Sequence, residues 1–370
     1  MNRAELLFTI IDFTCNPLMN YKRDRKLGKQ KNLSYGEHKH QKMDLCWKKG
    51  EEKLPLLVNI HGGAFVKGDK KYRRSICEDF AGRGWFVANL NYRLAPKNPL
   101  PAALQDVFEC LKVLSAPEFV EKHNLDLNRV VLTGDSSGAY TATMVACALT
   151  NEKVRIGWEL PKVDIKPTAL ISFCAPFDFQ KAIEGKLPFG LTRSIGSSVT
   201  GIKLSKDCRE VSTFKYFEYI CPCNFVTKEW PPTFIVYSEK DPLCAGQSEL
   251  LIEKLQQEGI YVEESHSVKT ADTHCYHLFP FLKASRKTMK CVHAFLEAVR
   301  LGENLSAEKP AEAGAENKKS AQKKSAKIEE KEEVAEIVAV NEVADEIASA
   351  DIKEELTEEQ ESAVAEISQE

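Results

Sequence analysis

Gly134-Asp135-Ser136-Ser137-Gly138 sits between the apolar run Val130 to Thr133 and an alanine-rich stretch of helical character. A strand, a sharp turn and a helix in that order form a nucleophile elbow. Glycines two positions to either side of Ser136 remove the Cβ clashes that so tight a turn creates, and their symmetry selects Ser136 over Ser137 as the projecting hydroxyl. The following helix directs its N-terminal amides at the same point, where they favour developing negative charge.

Toward the N-terminus, His61-Gly62-Gly63-Ala64-Phe65 closes an earlier apolar run, Leu54 to Ile60. Paired glycines let the backbone approach a carbonyl oxygen and present N–H groups that no side chain shields. The amides of Gly62, Gly63 and Ser137 are therefore the candidates for an oxyanion hole, where one donor is worth about 2.7–4 kcal/mol of transition-state stabilisation. His61 belongs to the strand end and is expected to shape the loop by hydrogen bonding.

Around these two loops, short apolar runs alternate with longer amphipathic stretches, the pattern of a largely parallel sheet with helices on both faces. The spacing predicts strands at Leu54 to Ile60, Trp85 to Asn91, Arg129 to Thr133, Ala169 to Cys174, Thr233 to Tyr237 and Tyr261 to Glu264, with an antiparallel edge strand at Gln41 to Trp47. Helices are predicted near Tyr72 to Ala81, Ala102 to Leu114, Tyr140 to Leu149, Ala245 to Gln257 and Ser285 to Val299. Residues 1 to about 33 and about 178 to 228 interrupt the rhythm and are expected to form a cap over the carboxyl edge of the sheet.

The chain has 370 residues, enough for one large core at residues 1–302. Residues 303–370 carry 8 Lys and 20 Asp or Glu, net -12, so the overall -3 leaves +9 on the rest. This acidic tail has no aromatic residue and reads as disordered or transiently helical. Val334, Ile337, Val338 and Ile347 allow a weak protein partner for it. The positive charge of the body is scattered apart from Tyr21 to Lys31 and accompanies no nucleic-acid motif, so nucleic acid is not an expected partner.

Twelve cysteines dispersed through core-like segments, with no secretory signal before them, read as reduced thiols in a cytoplasmic protein, most of them packing residues. Cys221-Pro-Cys223 is a close pair, but it lacks the second half of a zinc ligand set, so no metal is expected there. The apolar stretch Leu6 to Phe13 is too short to span a bilayer, which takes about 20 residues. It reads as a helix packed on the body, or else as an amphipathic helix on a membrane surface.

In chain order, HGGAF at 61–65, NYRLAP at 91–96 with PAALQD at 101–106, and GDSSG at 134–138 resemble the hormone-sensitive-lipase-like branch of the α/β-hydrolases. The resemblance runs from about residue 40 to 300. It implies a Ser, Asp, His triad in that order, hydrolysis of short- to medium-chain acyl esters through an acyl-enzyme, and no cofactor. Asp241 in the Asp241-Pro242-Leu243 segment matches the family's acid, with Glu239 as its local competitor.

Two histidines, His274 and His277, fit the family's base. His274 lies 12 positions before Arg286 and His277 only 9, and the longer loop favours His274; His266 is a weaker candidate. Ser137 and Ala64 depart from the family's usual alanine and third glycine, which leaves the amides in place but alters pocket polarity. The stretch Gln41 to Trp47 leading to HGGAF also resembles bacterial esterases that deacylate sugars or aromatic acid esters. A ligand-binding protein on an inactive hydrolase scaffold, a small-amide or peptide hydrolase, and an interaction protein led by its tail are the competing functions.

Overall fold

The structure is a computed structural model that describes residues 3–20, 24, 26–50, 52–184 and 190–306. These belong to the first of two compact units, Met1–Ala313. Residues 307–370, and with them the expected disorder, helix and partner of the acidic tail, lie outside the described residues.

The strands are β1 Gly28–Ser34, β2 Lys42–Trp47, β3 Leu54–Ile60, β4 Phe86–Leu90, β5 Leu125–Asp135, β6 Ala169–Phe173, β7 Thr233–Ser238 and β8 Val262–Ser267. The helices are α1 Arg3–Met19, α2 Arg74–Gly82, α3 Ala102–Leu114, α4 Pro117–His123, α5 Ser137–Thr150, α6 Glu152–Gly157, α7 Phe179–Glu184, α8 Leu191–Thr200, α9 Ser248–Gln257 and α10 Lys283–Leu301. One sheet runs β1-β2-β4-β3-β5-β6-β7-β8. Pairings of β2 with β1 and β4 are antiparallel, and the rest are parallel.

Central strands are apolar on both faces because both are covered. In β3, Leu56, Val58 and Ile60 enter the core shared with α3, α5 and α9, while Leu57 enters the one shared with α2 and α10. The same alternation sends Val130 and Leu132 of β5 one way and Val131 the other. Full burial of one such side chain contributes about 1.5–3 kcal/mol.

Strand β1 departs from the expected irregular N-terminal segment. Its sequence, Gly-Lys-Gln-Lys-Asn-Leu-Ser, has no apolar alternation, because an edge strand is held by backbone pairing with β2. The ladder is interrupted between Gln30 and Leu33, where Asn32 turns to φ 57° and its amide donates to Asp44 Oδ1 at 2.9 Å. Helices α4 and α6 also escape the periodicity, being 7 and 6 residues long. They are set by local signals, Pro117 at the first turn of α4 and the Asn151 side chain capping Val154 N in α6.

Arg93, from the segment after β4, and Gln41, just before β2, converge on Asp106 of α3. Asp106 is fully buried and accepts from Gln41 Nε2 (2.7 Å), Arg93 N (2.7 Å) and Arg93 Nε (2.8 Å). Removing a carboxylate so fully used strands its donors. We expect Asp106→Ala to lower unfolding stability by about 3 kcal/mol, read as a shifted urea midpoint at constant slope; an unchanged midpoint would show that the pair carries no weight in the fold.

Candidate active site

Ser136 stands between β5 and α5 at φ 53°, ψ -124°, a conformation that L residues rarely adopt. Its amide donates to Phe173 O at 2.7 Å, which pins the bend to β6. A Cβ on Gly138 would lie 2.1 Å from Ile60 O and 2.5 Å from His61 O, and one on Gly134 would lie 2.5 Å from Gly138 C. Both flanking glycines are therefore required by backbone packing.

The loop after β3 lies against this bend. A Cβ on Gly62 would meet Asp135 Oδ2 at 2.5 Å and the Ser136 Cβ at 2.9 Å. Among the described residues neither the Gly62 nor the Gly63 amide makes a hydrogen bond. Ser137 opens α5, in the first turn, where amides have no intrahelical acceptor. Ser137 Oγ accepts from Phe65 N at 3.2 Å, so this hydroxyl ties the two loops together rather than adding pocket polarity.

His61 plays the structural part expected of it. Burial pushes its imidazole down to about 4, Nδ1 donates to Gly62 O at 2.8 Å, and the ring stacks on Tyr92.

Asp241 follows β7 and His274 follows β8, and the structure brings both to Ser136. His274 Nε2 is 2.9 Å from Ser136 Oγ, and His274 Nδ1 is 2.7 Å from Asp241 Oδ2. Asp241 Oδ1 accepts from the amides of Leu243 (2.8 Å) and Cys244 (3.0 Å), which fixes the carboxylate. Burial pushes the Asp241 carboxyl up, but the charge and hydrogen bond of His274 outweigh it and hold the group below the usual range. Conversely, burial would push His274 down, and Asp241 holds it well above the ordinary imidazole value.

The competitors lie elsewhere. His277 is buried and stacks on Phe173 at 3.9 Å between ring centroids. His266 faces Glu239 (3.6 Å) and Glu264 (4.0 Å) at the β7–β8 edge, stacked on Tyr237.

Two features were not read from the sequence. Arg73 grips Asp135 with Nε and Nη2, each at 2.6 Å from a carboxylate oxygen, and so supports the elbow from behind. The signal lay in the Asp of Gly134-Asp135-Ser136, a charge that must be paired if buried. The second is a group of thiols, Cys174, Cys244 and Cys275, around His274. A cavity of about 1150 Å³ between α2 and α10 is lined by Glu78, Asp79, Arg286 and His293, and neither Ser136 nor His274 borders it.

Residues 43–255 match the BD-FAE family model, more than half of the chain. The chain belongs to the BD-FAE family. The match takes in Ser136 and Asp241 and ends before His274. This family member is 23% identical over 303 residues to a probable carboxylic ester hydrolase, LipM, of Mycobacterium tuberculosis, covering 80% of this chain and 67% of that one. It is 23% identical over 287 residues to the esterase LipQ of the same organism, covering 75% and 64%. The chain thus spans about two thirds of the length of these relatives. Its fold is similar to that of esterase B from Lactobacillus rhamnosis, with TM-score 0.68 at 19% identity over 81% of this chain and 95% of that one. Fold and family together make it an α/β-hydrolase of an esterase family.

Packing between loop and elbow makes a direct prediction. Gly138→Ala forces a methyl into two backbone carbonyls and should cost about 3 kcal/mol or more. Gly246, at φ 72° with nothing within 4 Å of an added Cβ, should cost only about 1 kcal/mol as Ala. Thermal melts of the two variants check this; equal losses would mean that the loop can withdraw from the elbow.

Proposed function

We propose that the protein is a serine carboxylic ester hydrolase acting on short- to medium-chain acyl esters through Ser136, His274 and Asp241. The observation that carries this reading is the continuous hydrogen-bonded line from Ser136 Oγ through both ring nitrogens of His274 to Asp241 Oδ2. An inactive scaffold would have no use for that line, and its glycine-lined loop would not need to face it.

In this reading Asp241 accepts from Nδ1–H, which leaves the Nε2 lone pair toward Ser136. His274 takes the hydroxyl proton as Ser136 Oγ attacks the ester carbonyl, then delivers it to the leaving alcohol. The same nitrogen next activates water against the acyl-enzyme, and the second tetrahedral adduct collapses to the acid and free Ser136. Backbone N–H groups of Gly62, Gly63 and Ser137 receive the oxyanion in each half, and the N-terminus of α5 adds its dipole.

Phe8 of α1, Leu191 of α8, Val66 and Ala95 form an apolar cluster beside Ala64 of the oxyanion loop. That contact between the N-terminal helix and the insertion supports their role as a cap that bounds the acyl chain. It also favours the packed alternative for α1, and no described helix is long and apolar enough to cross a membrane. Twelve free thiols support a reducing, cytoplasmic location.

Initial rates on p-nitrophenyl acetate, butyrate, octanoate and palmitate test the reading. Ser136→Ala and His274→Ala should each lose about 10⁴-fold or more in kcat, and His277→Ala should keep turnover if it folds. A His274→Ala enzyme that still turns over would transfer the base role elsewhere.

The pH profile has a definite sign. Catalysis needs neutral His274, whose affinity for the proton Asp241 raises. Activity is therefore lost as pH falls through a value above that of an ordinary imidazole, about 6.5. Asp241→Asn should move this acid limb toward lower pH while reducing kcat about 10⁴-fold. A limb that stays in place in the Asn variant would separate the carboxylate from the base.

A further inference from the structure

Along the sheet the strands run β3, β5, β6, β7, β8, so the residues just past their carboxyl ends stand in a row. Gly62 follows β3, Ser136 follows β5, Cys174 follows β6, Asp241 follows β7, and the loop bearing His274 follows β8. Cys174 occupies its place because β6 lies between the strands that carry nucleophile and acid.

One nitrogen of His274 and the sulfurs of Cys174 and Cys275 all lie within 4.8 Å of one another, and Asp241, Cys244 and His274 form a second such trio. Zinc binds thiolate sulfur at about 2.3 Å and imidazole nitrogen at about 2.0 Å, which sets tetrahedral ligands roughly 3.5–3.8 Å apart. A contraction of roughly 1 Å, within reach of side-chain rotation, brings the first trio onto an ion.

We propose that Cys174, His274 and Cys275 form an inhibitory site for a soft divalent cation such as Zn²⁺, with Cys244 or solvent in the fourth position. The inhibition rests on the hydrolase reading above; the binding does not. His274, whose side chain is 15% exposed, is where the ion meets solvent.

On binding, the two thiols release their protons and the thiolates neutralise the charge of the ion, while His274 stays neutral and gives a lone pair. If that lone pair belongs to Nε2, Ser136 loses its base. If it belongs to Nδ1, the hydrogen bond to Asp241 is broken. Either way proton transfer stops without any change to Ser136. The donor set also fixes selectivity, because thiolate and imidazole favour Zn²⁺ or Cd²⁺ over the oxygen-seeking Mg²⁺ and Ca²⁺.

The test uses the full-length, reduced chain. Hydrolysis of p-nitrophenyl butyrate should fall roughly tenfold or more in micromolar ZnCl₂, recover with EDTA, and ignore MgCl₂ and CaCl₂. Zinc binding, followed by competition with a chromophoric chelator, should lose one equivalent in Cys174→Ser and in Cys275→Ser and none in Cys221→Ser. The first two variants should need roughly a hundredfold more zinc for inhibition. Undiminished binding and inhibition in both would overturn the proposal, as would loss through Cys221→Ser alone.

Ser136→Ala keeps all the donors and should bind the ion as wild type does. Zinc binding by a chain that hydrolyses no ester would then refute the function and spare the site, while a zinc-insensitive active esterase would do the reverse. Should both serine variants fail to fold, Co²⁺ loading of the wild-type chain decides. A thiolate-to-cobalt charge-transfer band that quenches activity in step supports the site, and its absence overturns it.

Discussion

The carbonyls of Ile60 and His61 pass so close to Gly138 that no side chain can stand between them. Everything at the site follows from that contact. It brings the loop after β3 against the bend after β5, two segments joined in the sheet but 60 and more residues apart in the chain. Gly62 then rests on Asp135 and Ser136, and the Phe65 amide reaches the Ser137 hydroxyl. The loop thus lies against Ser136 with glycine where a side chain would collide, which is why it is rich in that residue. The positive φ of Ser136 is the local strain that this arrangement sustains.

Buried charges divide into those that hold the scaffold and those that can change. Asp106 meets Arg93, Asp135 meets Arg73 and Asp44 meets Lys70, pairs of carboxylate and cation within the scaffold. Asp241 instead meets His274, whose charge depends on its partner and on pH. A fixed pair in that position would be equally well buried and chemically inert. In the hydrolase reading proposed above the imidazole moves a proton here, and the two amides on Asp241 Oδ1 keep the carboxylate oriented.

Much of this was legible in the residues. Runs of apolar residues located the central strands because those strands are covered on both faces, and paired glycines located both loops because each occupies a point of backbone contact. Loop length before Arg286 favoured His274 over His277, and the structure sets the first beside Ser136 and the second flat on Phe173. Strand β1 was illegible for a physical reason: it is held by backbone hydrogen bonds, which leave no trace in side-chain pattern. The Arg73–Asp135 pair and the thiols around His274 join distant segments, and nothing in a linear sequence records which strand ends become neighbours.

Cysteine at the end of β6 resolves a conflict that strand order creates. Any residue there stands in line between Ser136 and Asp241, near the imidazole of His274. A strong hydrogen-bonding side chain would compete with Ser136 for Nε2 or with Asp241 for Nδ1. A large apolar one would displace the ring, since the site is already buried. A thiol is small, packs as an apolar group and hydrogen-bonds weakly, so it can sit beside His274 without diverting the proton. Its softness toward metal ions is inseparable from those same properties. With Cys275 adjoining the histidine in sequence and Cys244 three residues past Asp241, the surroundings of His274 also hold the donors that a thiophilic cation needs.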